Sequence, residues 1–190
     1  MSASWRITGA VLLAGCGGSN AGQSDPQTCA PVAVEADSSV QATHLGGDFT
    51  LRLVATSGAK RGATAEGKLQ LMPHDSAYRR MDLPDGSGST TYTLPMYGTA
   101  EVDFAAVGAV VPGDVGSSDP ASPGVLVIES PGKAMLRLGS EANRRGVLRF
   151  DGGYTALQVQ QATDKGFAGT WRSGVGTEQS GGHFCANRTT

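Results

Sequence analysis

This 190-residue sequence never holds a 3.6-residue apolar period through three helical turns, which speaks against an all-α or an alternating β/α organisation. It also has no run of the ~20 apolar residues that a membrane-spanning helix needs. Basic residues are not in excess: Lys and Arg number 15 against 17 Asp and Glu, for a net charge of −2. The basic pairs Lys60-Arg61, Arg79-Arg80 and Arg144-Arg145 each lie beside turn residues and read as solvated loops. The small net charge, with no basic cluster, argues against nucleic acid as a partner.

The residues of common catalytic and metal sites are scarce. Three histidines, His44, His74 and His183, form no His-x-x-x-His or similar pair, so no metal site is assigned. Gly-x-Ser-x-Gly does not occur. His74-Asp75-Ser76 places the three hydrolase residue types side by side, but a triad depends on convergence in space, and this tripeptide reads as the start of a polar loop. The Gly-x-Gly occurrences at 86–88 and 174–176 lack the helix and lysine of a phosphate loop. Glu101 and Asp103 share a predicted outward strand face, where solvation is the expected role. No catalytic residue, ligand-binding residue or cofactor is assigned.

What the chain has in abundance is punctuation. Its 28 glycines and 9 prolines are spread along the sequence between short alternating segments. Phe49, Leu51 and Leu53 fall on one face of a strand, with Asp48, Thr50 and Arg52 on the other. Leu69 and Leu71 repeat the pattern up to Pro73. Residues 84–89 mark a loop, Tyr92 and Leu94 a short strand entering Pro95, and Gly98 to Phe104 another with Ala100, Val102 and Phe104 inward. The continuous run Val125-Leu126-Val127-Ile128 predicts a strand buried on both faces or leaning on a closing loop. Leu136 and Leu138, Leu148 and Phe150, Leu157 and Val159, then Phe167 continue the inward set, and residues 183–188 form the last strand. Glu141 to Arg144 has room for one helical turn.

About eight to ten strands with short links favour an antiparallel up-and-down β-barrel of about eight strands over 46–190, with a two-sheet sandwich as the alternative. The mostly aliphatic inward set is sufficient to fill such a barrel.

The first residues read differently. Arg6, the apolar run from Ile7 and the small residues up to Gly15 have the parts of a secretory signal. Leu13-Ala14-Gly15-Cys16 resembles the lipobox of bacterial lipoproteins. That resemblance implies cleavage before Cys16, a diacylglycerol on its sulfur and usually an acyl group on its new amino terminus. Several acyl chains hold a protein stably on a membrane. Residues 1–15 are then a signal peptide, and the loss of Arg6 leaves the mature chain one charge more negative. Residues 16–45, polar and small, are a flexible tether. Gly17 after the cysteine, by the same resemblance, favours the outer membrane of the bacterial envelope.

Cys29 and Cys185 remain, in an oxidising compartment, and the even remainder predicts a disulfide between them. The loop it closes is long enough for a stabilisation of ~4–5 kcal/mol in the loop-entropy model. A metal site at His183 and Cys185 would lack a second ligand pair.

Gly169-Thr170-Trp171 resembles the Gly-x-Trp of lipocalins and the Gly-Thr-Trp of avidins, small calyx barrels that bind apolar molecules or biotin. In those families the motif lies on the first strand and here it lies close to the last, so no ligand residue is carried across. Trp171 is expected to plug one barrel end, its indole N–H on a turn carbonyl. Arg149 and Arg172 are expected in solvent. The expected role is that of a membrane-anchored envelope protein that is structural or binds an envelope protein. The alternatives are a lipocalin-like carrier of a small apolar ligand and a hydrolase with a site not local in sequence.

Overall fold

The computed structural model describes Cys29, Val40 and residues 42–74, 79–82, 89–112, 115–116, 124–130, 133–139 and 153–189. The expected strand at 147–151 with Leu148 and Phe150, the single helical turn at Glu141, Arg144-Arg145 and Arg149 lie outside the described residues. So do the leader, Cys16 and most of 16–45.

Alternation builds the wall. In β1 (Gly47–Ser57), Phe49, Leu51, Leu53 and Ala55 are buried while Asp48 and Arg52 are exposed. The chain continues as β2 (Thr64–Pro73), β3 (Arg79–Asp82), β4 (Ser89–Glu101), β5 (Val125–Ser130), β6 (Lys133–Leu138), β7 (Tyr154–Thr163), β8 (Gly166–Val175) and β9 (Glu178–Arg188). Every pairing is antiparallel. β9 returns to β1, with Leu53 opposite Phe184 and Leu51 opposite Ala186. β2 bridges to β4, with Leu69 opposite Ala100. Eight strands therefore close into an up-and-down barrel, and β3 pairs with β4 alone as an added hairpin.

Close backbone contacts accompany this closure. A Cβ on Gly98 would collide with the carbonyl of Gln70, and one on Gly182 with that of Val54. Both places admit only glycine without a shift of the sheet.

Two departures from the expected strands have local causes. The pieces expected at 92–95 and 98–104 are one strand, β4, which runs through Pro95. A register shift between Thr93 and Met96 accommodates the missing N–H, and the Pro95 carbonyl instead accepts from the His74 N–H at 2.8 Å. The strand then stops at Glu101. Asp103 caps a 3-10 turn at Phe104–Val107, its Oδ1 accepting from the Ala106 N–H at 3.2 Å, so Glu101 and Asp103 do not share a strand face. Val102 is half-buried outside the strand, and Phe104 packs in from this turn. Arg79-Arg80 lies in β3 rather than in a loop, whereas Lys60-Arg61 is an exposed turn.

Among the described residues, segments of the chain cover both barrel ends. At one, a 3-10 turn at Ala42–Leu45 buries Ala42 and Leu45 beside Val40, so the end of the expected tether belongs to the core. There the Arg188 guanidinium lies 4.8 Å from the Phe49 ring centroid and donates to the Gly46 and Asp164 carbonyls. At the other end Phe104, Val107 and Ala109 turn inward. Their segment is clamped where Ser173 Oγ accepts from the Val110 N–H at 2.7 Å and Thr155 Oγ1 donates to the Val110 carbonyl at 2.5 Å. Ser180 Oγ adds a 2.6 Å bond to the Gly108 carbonyl.

β5 is buried on both faces, as its unbroken apolar run predicts. Val125 and Val127 enter the barrel core, while Leu126 and Ile128 form a separate outer cluster with Leu94, packed by Tyr97 and Met135. Cys29 is bonded to Cys185, 156 residues away, on the outward row of β9 opposite Arg52 and Ala168.

Removing this cross-link by Cys185→Ala should lower the unfolding free energy by about 3–5 kcal/mol. Urea unfolding of the variant against the oxidised parent measures it, and a matching shift should follow reduction of the parent.

Candidate functional site: the outer wall

The barrel interior is occupied by protein. It holds the expected Phe49, Leu51, Leu53, Leu69, Leu71, Phe104, Ala134, Leu136, Leu138, Leu157, Val159 and Phe167, and it also takes in Met96, Val125, Val127, Trp171, Phe184 and Ala186. Trp171 is 1 % exposed and sits opposite Leu157 on one side and Gly182 on the other, where the missing side chain leaves room for the indole. Its Nε1 donates to the Val54 carbonyl at 3.2 Å. That carbonyl belongs to strand β1 rather than a turn, next to the register shift between Ala55 and Ser57. The aromatics interlock edge to face, Phe49 with Phe167 at 5.0 Å and Phe167 with Phe184 at 6.0 Å.

Among the described residues, two clefts open outward. The larger, about 390 Å³, is lined by Met135, Tyr154, Ala156, Gln158, Thr170 and Arg172 on the outer faces of β6, β7 and β8. The smaller, about 270 Å³, lies over β8 and β9 between Ser57 and Gln179 and shares Thr170 and Arg172. Arg172 is exposed, as expected, and contributes to both.

Beside the larger cleft stands Arg137, only 2 % exposed. Its guanidinium lies 5.4 Å from the Tyr154 ring centroid and donates to the Thr155 carbonyl at 3.4 Å. Burial pushes its pKa down to about 10, the nearby Tyr154 working in the opposite direction, and it stays cationic in neutral water.

The histidines lie on separate elements: His44 exposed at one barrel end, His74 edge-on to Tyr97 at 5.5 Å, and His183 buried on the outer face of β9. Asp75 and Ser76 lie outside the described residues. Among the described residues no three His, Cys, Asp or Glu side chains are grouped to hold a metal ion. Arg137, Met135, Tyr154 and Gln158 carry no sequence signal as site residues. They become neighbours only through strand register.

No protein-family model and no curated protein matches the chain. A solved structure described as "Structure of EF1p2_mFAP2b bound to DFHBI" aligns with a TM-score of 0.36 and 12 % identity, over 80 % of this chain and 100 % of that chain. A likeness that distant carries no statement about what this chain binds.

His183 generates a pH prediction. Burial holds its pKa below the usual 6.5; a hydrogen bond to the Cys29 backbone pulls it up, and the Arg52 charge adds to the lowering. Its Nδ1 has no hydrogen-bond partner. Because the folded pKa is the lower one, the unfolded chain takes the proton first as pH falls below 6.5, and stability falls until the folded pKa is passed. The urea midpoint should therefore be lower at pH 5.5 than at pH 7.5, and His183→Gln should flatten that part of the profile.

Proposed function

We propose that this chain is a lipid-anchored protein of the bacterial cell envelope, held at the outer membrane through Cys16, with a filled barrel that offers its outer wall to another envelope protein. One observation carries the choice of the wall. Among the described residues the interior is packed with side chains, chain segments cover both ends, and the two clefts lie outside. A scaffold of this kind works by what it presents and holds in place. The anchor rests on Leu13-Ala14-Gly15-Cys16 and the leader before it, and the disulfide suits an oxidising compartment. The reading assigns no catalysis.

A second reading, carriage of a small apolar ligand, is favoured by the mainly apolar lining of the larger cleft. On that reading the ligand rides on the wall rather than inside the barrel.

Replacing Cys16 with Ser should move the protein from the membrane fraction to the soluble fraction of the cells that make it; retention in the membrane overturns the anchor. Native mass spectrometry of the protein purified from envelopes separates the two readings. A co-purified protein supports the scaffold, and a small-molecule mass increment supports the carrier.

A further inference from the structure

The register of β6, β7 and β8 makes a composite feature on the outer wall. Arg137 is paired with Ala156, and Ala156 with Arg172. Neighbouring strands are ~4.8 Å apart, so the two arginine backbones stand about 10 Å apart across a residue that offers only a methyl group. In the next row Met135, Gln158 and Thr170 lie side by side in the same way. The larger cleft is the space over Ala156 between these side chains. Tyr154 forms its end wall: an edge carbon of the ring is 3.6 Å from where a Cβ on Gly174 would stand, and the Arg137 guanidinium lies by the ring. Its volume is at the small end of ligand clefts.

The chemistry of the lining is one-sided. None of the six lining residues among the described ones is acidic, and Arg172 is an exposed guanidinium at its edge. Arg137 stands behind Tyr154, buried and bonded to the Thr155 carbonyl, and is not one of these lining residues. Thr170 adds a hydroxyl. A guanidinium fork matches the two oxygens of a carboxylate, while Met135, Ala156 and the ring edge favour an apolar body.

We propose that this cleft binds a small amphipathic carboxylate, its oxygens held by Arg172 and Thr170 and its apolar body laid on Ala156 and Met135 against Tyr154. The site depends neither on where the chain is anchored nor on whether the wall also meets a protein.

The test titrates the full disulfide-bonded chain with 2-naphthoate, decanoate and the uncharged methyl 2-naphthoate, followed by NMR shift mapping and calorimetry. At least one acid should bind, with shifts centred on the cleft residues and more tightly than the ester. If 2-naphthoate alone binds, the body is aromatic; if decanoate alone binds, it is an alkyl chain. Arg172→Gln should weaken the acid at least tenfold, the scale of a lost charge-assisted hydrogen bond, while ester binding stays unchanged. Ala156→Leu should abolish binding by filling the floor, and Lys68→Gln, at an exposed position on β2, should change nothing. Both cleft substitutions face outward, and an unchanged melting temperature confirms that each variant is folded. No acid binding at millimolar concentration, equal affinity for acid and ester, or full binding by folded Arg172→Gln or Ala156→Leu overturns the proposal.

Discussion

The pairing of β9 with β1 is the contact on which the rest of this structure depends. An open meander would leave the outward hydrogen-bonding groups of β1 and β9 as bare edges. Closing the ring pairs them and gathers every inward side chain into one volume, which the side chains must fill. Large residues meet small ones across the strands, Phe184 beside Gly169 and Trp171 beside Gly182. Where the ring leaves an opening, the chain supplies a cover: Ala42 and Leu45 at one end, Phe104 and Val107 at the other. These covers are tied by polar contacts made at the rim, Arg188 below and the Thr155–Ser173 pair above.

A filled core has a consequence for function. In a calyx barrel the inside is the site and the outside is solvent-facing; here the apolar surplus is on the outside. Leu126 and Ile128 are buried on the outer wall at 1 % and 5 % exposure, and Met135 links that cluster to the larger cleft. The wall over β4 to β8 is thus apolar in one part and cationic in the next.

The fold was legible in the sequence because period-two alternation is local. Phe49, Leu51 and Leu53 declare their face whatever lies beside them. The unbroken run from Val125 to Ile128 likewise announced a strand covered on both sides. Errors arose where one residue stood for two meanings. Pro95 reads as a stop, yet a bulge lets β4 pass through it; Asp103 continues the alternation, yet its side chain caps a turn. The cleft was illegible for a different reason. Arg137, Ala156 and Arg172 lie on three strands, and only the register of two pairings puts them in one row. A shift of one residue in either pairing would send one member of the row to the other face.

The disulfide connects this geometry with the proposed anchoring. Between Cys16 and Cys29 lie about 13 residue steps, which at full extension reach about 45 Å. Without the bond to Cys185 the first point held by the barrel among the described residues would be Val40, about 24 steps from Cys16, with a reach of about 80 Å. The cross-link therefore nearly halves the leash. It also moves the point of attachment from the barrel end to the side, onto the outward face of β8, β9 and β1 around Ala168, Cys185 and Val54. A barrel held by its end can present any part of its wall equally. Were the chain anchored at Cys16 as proposed, one held by the side would turn β8, β9 and β1 toward the membrane and the outer faces of β4 to β6 away from it. On the proposed anchoring, the cysteine pair would bias which wall is offered, besides cross-linking the barrel.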